Sequence, residues 1–232
     1  GTYYEHVKIN KSLTLVGENR STTVIDGNET GIVVYIMANN ITLSGFTIQN
    51  GVLGIWFSRS NDNILTGNTA SNNQYGIYLS DSDNNILSGN TASNNQYGIY
   101  FSWSHNNAFT GNIASNNQYG IYLDGSNHNT LAGNDVSSND NIGILLYHSD
   151  NNILSGNTAS NNQYGIYLHH SHDSILDSIT ATNNYYGIRL MSSSNNIIYH
   201  NNFIRNTEPA SGIDSVNSWD NGAEGNYWSD YD

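Results

Sequence analysis

The sequence predicts an all-β fold, a single-stranded right-handed parallel β-helix with three short strands per coil, on three observations. A stretch of about 22 residues recurs along most of the chain, and a fixed period of this size is typical of supersecondary units stacked on copies of themselves. Within each copy, apolar and polar residues alternate, which predicts strands with one face buried. Helix-forming residues are scarce, whereas asparagine and glycine are abundant. The right-handed winding follows from the general preference of parallel crossovers.

A glycine-isoleucine step marks each copy of the repeat. The residue after the glycine, and the residue two positions further on, are apolar in almost every copy, which predicts a strand with alternate side chains buried. Two more inward rows are predicted later in each copy. The marking glycines are Gly31, Gly54, Gly76, Gly98, Gly120, Gly143, Gly165 and Gly187. The first inward row is Ile55, Ile77, Ile99, Ile121, Ile144, Ile166 and Ile188. The second is Leu65, Leu87, Phe109, Leu131, Leu154, Leu176 and Ile198, and the third is Ala70, Ala92, Ala114, Val136, Ala159, Ala181 and Phe203.

Asparagine recurs at three positions of the repeat, which we interpret as corners between strands. Asparagine tolerates the left-handed backbone conformation that sharp bends need, and its amide can bond to the same residue in the next coil. A recurring serine is predicted to turn inward at a fourth position. The asparagine columns begin at Asn63, Asn68 and Asn73, and the serine column begins at Ser60.

The predicted domain organisation is one elongated body over residues 1–232. First coils are expected over 1–30, regular repeats over 31–206, and an irregular coil or cap over 207–232. Eight or nine coils at about 4.8 Å each would make a rod roughly 40 Å long.

The charge of the chain excludes two classes of partner. The formal net charge is −13, from 19 acidic and 6 basic residues, and no Lys or Arg lies between Arg59 and Arg189. Binding to nucleic acid or to an anionic membrane surface is therefore not expected. No apolar run reaches membrane-spanning length.

The chain resembles the NosD-type group of pectin-lyase-like β-helices, which belongs to the domain class named for carbohydrate-binding proteins and sugar hydrolases. The matching segments are 1–9 (GTYYEHVKI), 13–18 (LTLVGE), 23–27 (TVIDG), the repeated NNILSGN and YGIYL, 219–222 (WDNG) and 224–231 (EGNYWSDY). The resemblance implies a β-helix of the type found in archaeal surface proteins. It leaves the activity open, because many chemistries share this scaffold.

The resemblance also implies an expectation about the first coil. The family usually has a short covering helix before the Gly-Thr-Tyr motif, and here the sequence starts at that motif. An uncovered end coil templates pairing with another chain. We therefore expect either a fragment or a subunit that stacks end to end.

An aromatic row is predicted on the outer side of the first strand of each copy. Flat rings on a rigid sheet can stack on sugar rings, and their hydroxyls can bond to sugars. The same row could instead serve protein contact or stabilise itself through cross-strand pairs. The candidates for glycan or lateral contact are Trp56, Tyr78, Tyr100, Tyr122 and Tyr167.

A second candidate site is rich in histidine. His148 and His170 occupy the same position in consecutive copies, and Asp150 and His172 share another position two residues later. Imidazoles and a carboxylate about 5 Å apart could converge on Cu²⁺ or Zn²⁺, and the NosD-type group is linked by name to copper handling. The alternative is an exposed His/Asp ladder, and no cofactor is required by the sequence.

Three functions follow from these patterns. The leading hypothesis is an extracellular or cell-surface β-solenoid with a structural or adhesive role, which contacts glycans through the aromatic row. The first alternative is a polysaccharide-acting hydrolase or lyase, for which Asp81 with Asp83, or Asp150 with Asp173, could supply paired carboxylates. No catalytic residue is assigned, since these residues are more simply interpreted as solvated acids at the corners. The second alternative is a periplasmic or extracellular copper-handling accessory protein.

Four sequons predict glycosylation if the protein is secreted. They begin at Asn10, Asn19, Asn28 and Asn40.

Overall fold

The predicted parallel β-helix is confirmed by the computed structural model, which describes residues 1–229. Those residues contain 29 strands and no helix, and every strand pairing is parallel between one coil and the next. The strands of each coil fall in the order sheet A, sheet B, sheet C. Sheet B contains ten strands, one or two more than the eight or nine expected coils, because residues 1–30 and 207–213 add coils of their own.

Sheet A consists of two parts, which single-residue bridges of Asp135 with Ile113 and with Thr158 connect. Its strands are Thr2–Tyr4, Val24–Asp26, Thr47–Gln49, Thr69–Ser71, Thr91–Ser93 and Ile113–Ser115, then Thr158–Ser160, Thr180–Thr182, Asn202–Ile204 and Tyr227–Trp228.

Sheet B has the longest strands and presents the aromatic row. Its strands are Val7–Ile9, Ile32–Ile36, Leu53–Ser58, Tyr75–Ser80, Tyr97–Ser102, Tyr119–Asp124, Ile142–Tyr147, Tyr164–His169, Tyr186–Met191 and Glu208–Ile213. Sheet C is the third face. Its strands are Thr14–Val16, Thr42–Ser44, Ile64–Thr66, Ile86–Ser88, Ala108–Thr110, Thr130–Ala132, Ile153–Ser155, Ile175–Asp177 and Ile197–Tyr199.

The coils lie in register, so that equivalent side chains form columns along the rod. Ile77 pairs with Ile99, and Ile99 pairs with Ile121. The three predicted apolar rows are buried along the axis, with exposed fractions of 0–2%. The predicted serine column is also fully buried, and each backbone N–H donates to the serine hydroxyl of the next coil, as from Ser82 to Ser104 Oγ at 3.1 Å.

The asparagine columns form hydrogen-bond ladders inside the rod. The Oδ1 of Asn107, for example, accepts from the backbone N–H of Asn85 at 2.8 Å and from its Nδ2 at 3.1 Å. Such ladders satisfy buried polar groups that would otherwise be costly.

The sequence interpretation misplaced the left-handed bends. The buried ladder asparagines are not left-handed; the residue just before each of them is, as at Asn84 with φ 58° and Asn106 with φ 56°. The bend and the ladder thus use neighbouring residues. The left-handed residue forms the bend, and the next residue holds its amide inside the rod.

The marking glycines have a packing reason. A Cβ on Gly76 would lie 2.6 Å from the carbonyl oxygen of Gly98 and 2.8 Å from the Nδ2 of Asn95. The glycine column therefore packs directly against an asparagine ladder, and the ladder leaves no room for a side chain at the glycine positions.

The C-terminal segment predicted as an irregular coil or cap begins by continuing the helix. Glu208–Ile213 extends sheet B, and Tyr227–Trp228 extends sheet A next to Phe203. A loop with Asx turns at Asp220 and Asn221 joins these two strands. The final three positions of the predicted segment, 230–232, lie outside the described residues.

Candidate functional site

The outer side of sheet B carries two parallel columns of aromatic residues, which we call the aromatic surface. One column contains the predicted row, and the other precedes each marking glycine. The first column is Tyr35, Trp56, Tyr78, Tyr100 and Tyr122, and the second is Tyr75, Tyr97 and Tyr119. All eight side chains are partly buried.

The rings of the aromatic surface stack mainly on one another. In the second column, the centroids of Tyr75 and Tyr97 lie 4.7 Å apart with planes at 9°, and those of Tyr97 and Tyr119 lie 5.0 Å apart at 9°. In the first column, Tyr35 and Trp56 stack at 4.6 Å and 8°. Further along the first column the rings tilt, with Tyr78 and Tyr100 at 31° and Tyr100 and Tyr122 edge-on at 63°. Neighbouring rings therefore cover the faces of the second column and of Tyr35 and Trp56 more than those of Tyr100 and Tyr122. This is the cross-strand stabilisation that the sequence predicted as one alternative for the row, and glycan contact stays a prediction.

Both columns are interrupted at the same coil. Ile142 and Leu145 replace the aromatic residues there, and both are buried, with 4% and 7% exposed. The aromatic residues resume in the next coil with Tyr164 and Tyr167, whose ring centroids lie 5.3 Å apart. The predicted residue Tyr167 thus belongs to a second, shorter patch.

The cations on sheet B lie over aromatic rings. The guanidinium of Arg189 is 4.8 Å from the centroid of Tyr186 and 5.9 Å from that of Tyr164. At the other end of the sheet, Lys8 Nζ is 5.9 Å from the centroid of Tyr35. The surface between these ends has no Lys or Arg.

The carboxylate of Asp124 borders the aromatic surface. Tyr100 donates a hydrogen bond from its hydroxyl to Asp124 Oδ2 at 3.1 Å. Burial raises the pKa of Tyr100 far above its usual value, and the negative charge of Asp124 raises it further. The pKa of Tyr122 is raised by the same two causes, burial first.

These shifts predict a loss of stability at alkaline pH. A phenol whose pKa is higher in the folded state than in the unfolded state favours folding fully below the unfolded pKa, which is about 10. That contribution is lost as the pH rises above this value toward the folded-state pKa. We expect the free energy of unfolding to fall above about pH 10 and part of the phenolate absorbance to appear only on unfolding. Tyr100→Phe should reduce that delayed part, and an unchanged titration would contradict the assignment.

The four candidate metal ligands lie in two different columns. His148 and His170 are exposed at the corner after sheet B, with ring centroids 4.8 Å apart and planes at 6°. Their lone pairs lie in the ring planes, so stacked parallel rings do not direct them at one ion. The pKa of the adjacent His169 is lowered by burial and then by His170 and His148.

Asp150 and His172 share the other of these two columns, and their side chains accept backbone hydrogen bonds from the next coil. The Oδ1 of Asp150 accepts the backbone N–H of His172 at 2.7 Å, and the Nδ1 of His172 accepts the backbone N–H of Ser194 at 3.1 Å. An imidazole that accepts at Nδ1 carries its proton on Nε2 when neutral, so neither nitrogen offers a free lone pair. Asp83 and His105 repeat this pattern three coils earlier. Across residues 1–229, no group of three or more His, Cys, Asp or Glu side chains could hold a metal ion.

Asp83 and Asp150, which lie in the same column, are carboxylates that were considered for glycoside hydrolysis. Asp83 and Asp150 each accept a backbone N–H of the next coil, whereas Asp81 and Asp173 lie exposed at left-handed corners. One member of each candidate pair is therefore part of the ladder that joins the coils.

The predicted glycosylation sites lie at the surface of the first coils. The side chains of Asn10, Asn19, Asn28 and Asn40 are all exposed. Glycosylation at these positions stays a prediction. Among the described residues, no helix is long and apolar enough to cross a membrane.

Two residues in or beside the aromatic surface were not identified from the sequence. Tyr35 stands four positions after Gly31 instead of two, so it falls out of step with the repeat, although it pairs with Trp56. Asp124 replaces the serine found at Ser80 and Ser102. This departure from the repeat was a usable signal for a special position.

The fold is shared with solved structures of low sequence identity. The Dettilon tailspike protein (gp208) matches 94% of this chain and 51% of its own, with 16% identity and a TM-score of 0.77. ORF18 of Geobacillus virus E2 matches 95% of this chain and 51% of its own, with 13% identity and a TM-score of 0.73. The A-module of the Azotobacter vinelandii mannuronan C-5 epimerase AlgE4 matches 94% of this chain and 85% of its own, with 13% identity and a TM-score of 0.57. This chain thus spans about half the length of the two viral proteins, and the likeness concerns the fold alone. Comparison with curated protein sequences gave no match.

The family is shown by sequence. The NosD family, described as periplasmic copper-binding protein, matches residues 10–102 and 79–232. The described part of the chain contains no set of ligands that fits the copper named in this description. The rings of His148 and His170 stack in parallel, and the Nδ1 of His172 accepts a backbone hydrogen bond. The two matched segments together span nearly the whole sequence, and their repeats are those that form the coils. The chain belongs to the NosD family.

Proposed function

We propose that this protein is a rigid, non-catalytic rod that binds a neutral polysaccharide along sheet B. The observation that supports the proposal most is the aromatic surface, in which eight partly exposed rings follow one face of the rod over five consecutive coils. A ladder of this kind presents hydroxyl groups at the coil spacing of about 4.8 Å. Sugar hydroxyls and C–H groups suit such a mixed polar and apolar surface.

The charge distribution favours a neutral glycan over an acidic one. The net charge is −13, and Asp124 borders the aromatic surface. Lys8 lies over Tyr35 at one end of this surface, and Arg189 lies over a tyrosine of the separate, shorter patch. A uronate chain would meet repulsion without a cation to offset it. Among the structural neighbours, the mannuronan epimerase is named for a uronate polymer, so this chain would differ from it in ligand class.

The geometry gives less support to the two alternative functions. A polysaccharide-cleaving enzyme needs a proton donor and a base near the bound sugar, but Asp83 and Asp150 hold backbone N–H groups of the next coil. The copper alternative rests on the family description, and the described histidines do not converge. Both stay predictions from the sequence.

The proposed location is outside the cytoplasm, either at the cell surface or in the periplasm. The family description names the periplasm, and a protein that contacts polysaccharide chains would meet them there. A rod whose coils are joined by asparagine hydrogen-bond ladders also suits the predicted structural or adhesive role. End-to-end stacking of copies is part of the same proposal, to be checked by electron microscopy of the purified protein.

The proposal is tested by removing hydroxyls without disturbing the ring stack. Tyr78 and Tyr97 contribute one ring from each column, and their phenylalanine variants keep the stacking. The double variant Tyr78→Phe/Tyr97→Phe is expected to bind neutral oligosaccharides about tenfold more weakly, because each lost hydrogen bond contributes about 0.5–1.5 kcal/mol. The affinity is measured by isothermal titration with a panel of neutral hexasaccharides of the gluco, manno and galacto type.

The matched control removes two exposed tyrosine hydroxyls from sheet A. Tyr4 is 74% exposed and Tyr227 is 58% exposed, and Tyr4→Phe/Tyr227→Phe should bind like the parent. Absence of binding to every neutral glycan, or equal weakening in both double variants, would reject sheet B as the binding face.

A further inference from the structure

Trp103 is the most exposed aromatic residue next to sheet B. It follows the strand Tyr97–Ser102 at the corner toward sheet C, and 63% of the residue is exposed. The other three tryptophans, Trp56, Trp219 and Trp228, are partly buried. Its backbone is left-handed, with φ 49°, a conformation that costs about 1–2 kcal/mol in a residue of this kind. A large apolar ring in a strained, exposed position is a candidate for function.

The indole lies flat on Gly125 of the next coil. A Cβ built on Gly125 would lie 3.2–3.3 Å from Cδ2, Cε2 and Cε3 of Trp103. These three neighbouring atoms adjoin the ring fusion, so one face of the indole covers the glycine, which is buried. In other coils this corner position holds a side chain, as at Asp81 and His148. Glycine at 125 thus makes room for the ring.

This arrangement differs from that of the aromatic surface. The ring of Tyr97 in the second column is stacked on both sides, by Tyr75 and by Tyr119, whereas no ring stacks on the indole of Trp103 in the described structure. One face of the indole rests on Gly125, and the high exposure places the opposite face in solvent. A flat, open indole face is the surface on which the C–H groups of a pyranose ring can pack.

The polar groups around the indole accept hydrogen bonds. Asp81 occupies the equivalent corner one coil earlier, and Asp124 precedes Gly125 and receives the backbone N–H of Trp103 on its carbonyl at 3.0 Å. Both side chains are carboxylates, which accept from hydroxyls. The next basic residue in this column is Arg59, two coils from Trp103. The surroundings therefore suit a neutral ligand rich in hydroxyl donors and disfavour an anion.

We infer that Trp103, seated on Gly125, is a stacking platform for one ring of a neutral pyranose. The inference rests on the proposed function, since it adds a face-stacking contact to a glycan that the aromatic surface holds by hydroxyls and ring edges. The occupant is a hexose residue with an apolar C–H face, and its hydroxyls reach the carboxylates of Asp81 and Asp124.

The test uses the fluorescence of Trp103 together with calorimetry. Titration with the same neutral hexasaccharides should shift the tryptophan emission to shorter wavelength, because Trp103 is the exposed tryptophan and loses water on stacking. Trp103→Ala should abolish this shift and weaken binding about tenfold. Gly125→Asn should weaken binding as well, since its Cβ displaces the indole while asparagine tolerates the left-handed backbone. The control is Tyr185→Ala, which removes an aromatic residue that is 50% exposed elsewhere.

The outcomes separate this inference from the proposed function. If the parent protein binds a neutral glycan by calorimetry but Trp103→Ala binds it equally well, the platform is rejected and the function stands. If Trp103→Ala alters only the sedimentation of the protein, the ring is a contact between copies and the sugar inference is wrong. If the parent binds no neutral glycan, both proposals fail.

Discussion

Replacing Gly98 with alanine is expected to lower the free energy of unfolding by about 3 kcal/mol or more. A Cβ there would lie 2.6 Å from the carbonyl oxygen of Gly120 and 2.7 Å from the Nδ2 of Asn117. Neither group can move alone. The carbonyl belongs to the backbone of the next coil, and the Asn117 amide donates to Ala92 O at 3.0 Å and to Asn139 Oδ1 at 3.2 Å. The added methyl must therefore separate two coils or break the ladder.

The measurement is urea-induced unfolding followed by far-ultraviolet circular dichroism. Gly212→Ala is the control, because a Cβ on Gly212 meets no atom within 4 Å; its unfolding midpoint should stay close to that of the parent. Equal midpoints for Gly98→Ala and Gly212→Ala would show that the glycine column is not required by packing.

Asn112→Ala is expected to destabilise the fold by a similar amount, about 3 kcal/mol, from unsatisfied buried groups. The Oδ1 of Asn112 accepts from the backbone N–H of Asn90 at 3.0 Å and from its Nδ2 at 3.1 Å. The Nδ2 of Asn112 donates to Leu87 O at 2.9 Å and to Asn134 Oδ1 at 3.0 Å. The residue is fully buried, so water cannot replace these partners, and each orphaned group costs about 1–3 kcal/mol.

The control for the ladder is a neighbouring asparagine outside it. Asn94 is exposed and left-handed, with φ 57°, a conformation that glycine adopts freely. Asn94→Gly should change the unfolding free energy by less than about 0.5 kcal/mol. A loss in Asn94→Gly as large as that in Asn112→Ala would mean that asparagine supports the coils through its bends and not through its buried amides.

The period of the repeat was enough to predict the fold, because each position of a coil meets the same position of the next. Ile77, Leu87 and Ala92 could be placed inside the rod from their recurrence, and all three are fully buried. Recurrence did not separate the two roles of asparagine. Asn84 and Asn85 are adjacent and identical in type, yet one forms the bend and the other the ladder.

The candidate sites were predicted less well, because they depend on side-chain orientation. The position of Tyr78 on the outer side of sheet B follows from alternation, but the stacking of its ring between Trp56 and Tyr100 does not. For Asp150 and His172, shared positions suggested a metal site, whereas the structure shows backbone acceptors.

Trp103 was missed for the opposite reason. It occupies a corner column in which the residue type changes from coil to coil, so no repeat pointed to it. The available signal was the coincidence of a tryptophan in one coil and a glycine, Gly125, in the next.

The most direct test of the central claim is chemical-shift mapping by nuclear magnetic resonance, with a neutral hexasaccharide that binds in the calorimetric panel. We expect perturbed amide signals confined to the strands of sheet B that carry the aromatic surface and to their adjoining corner, between Tyr35 and Gly125. Perturbations centred on sheet A or sheet C, or equal perturbation by an alginate oligomer, would contradict it.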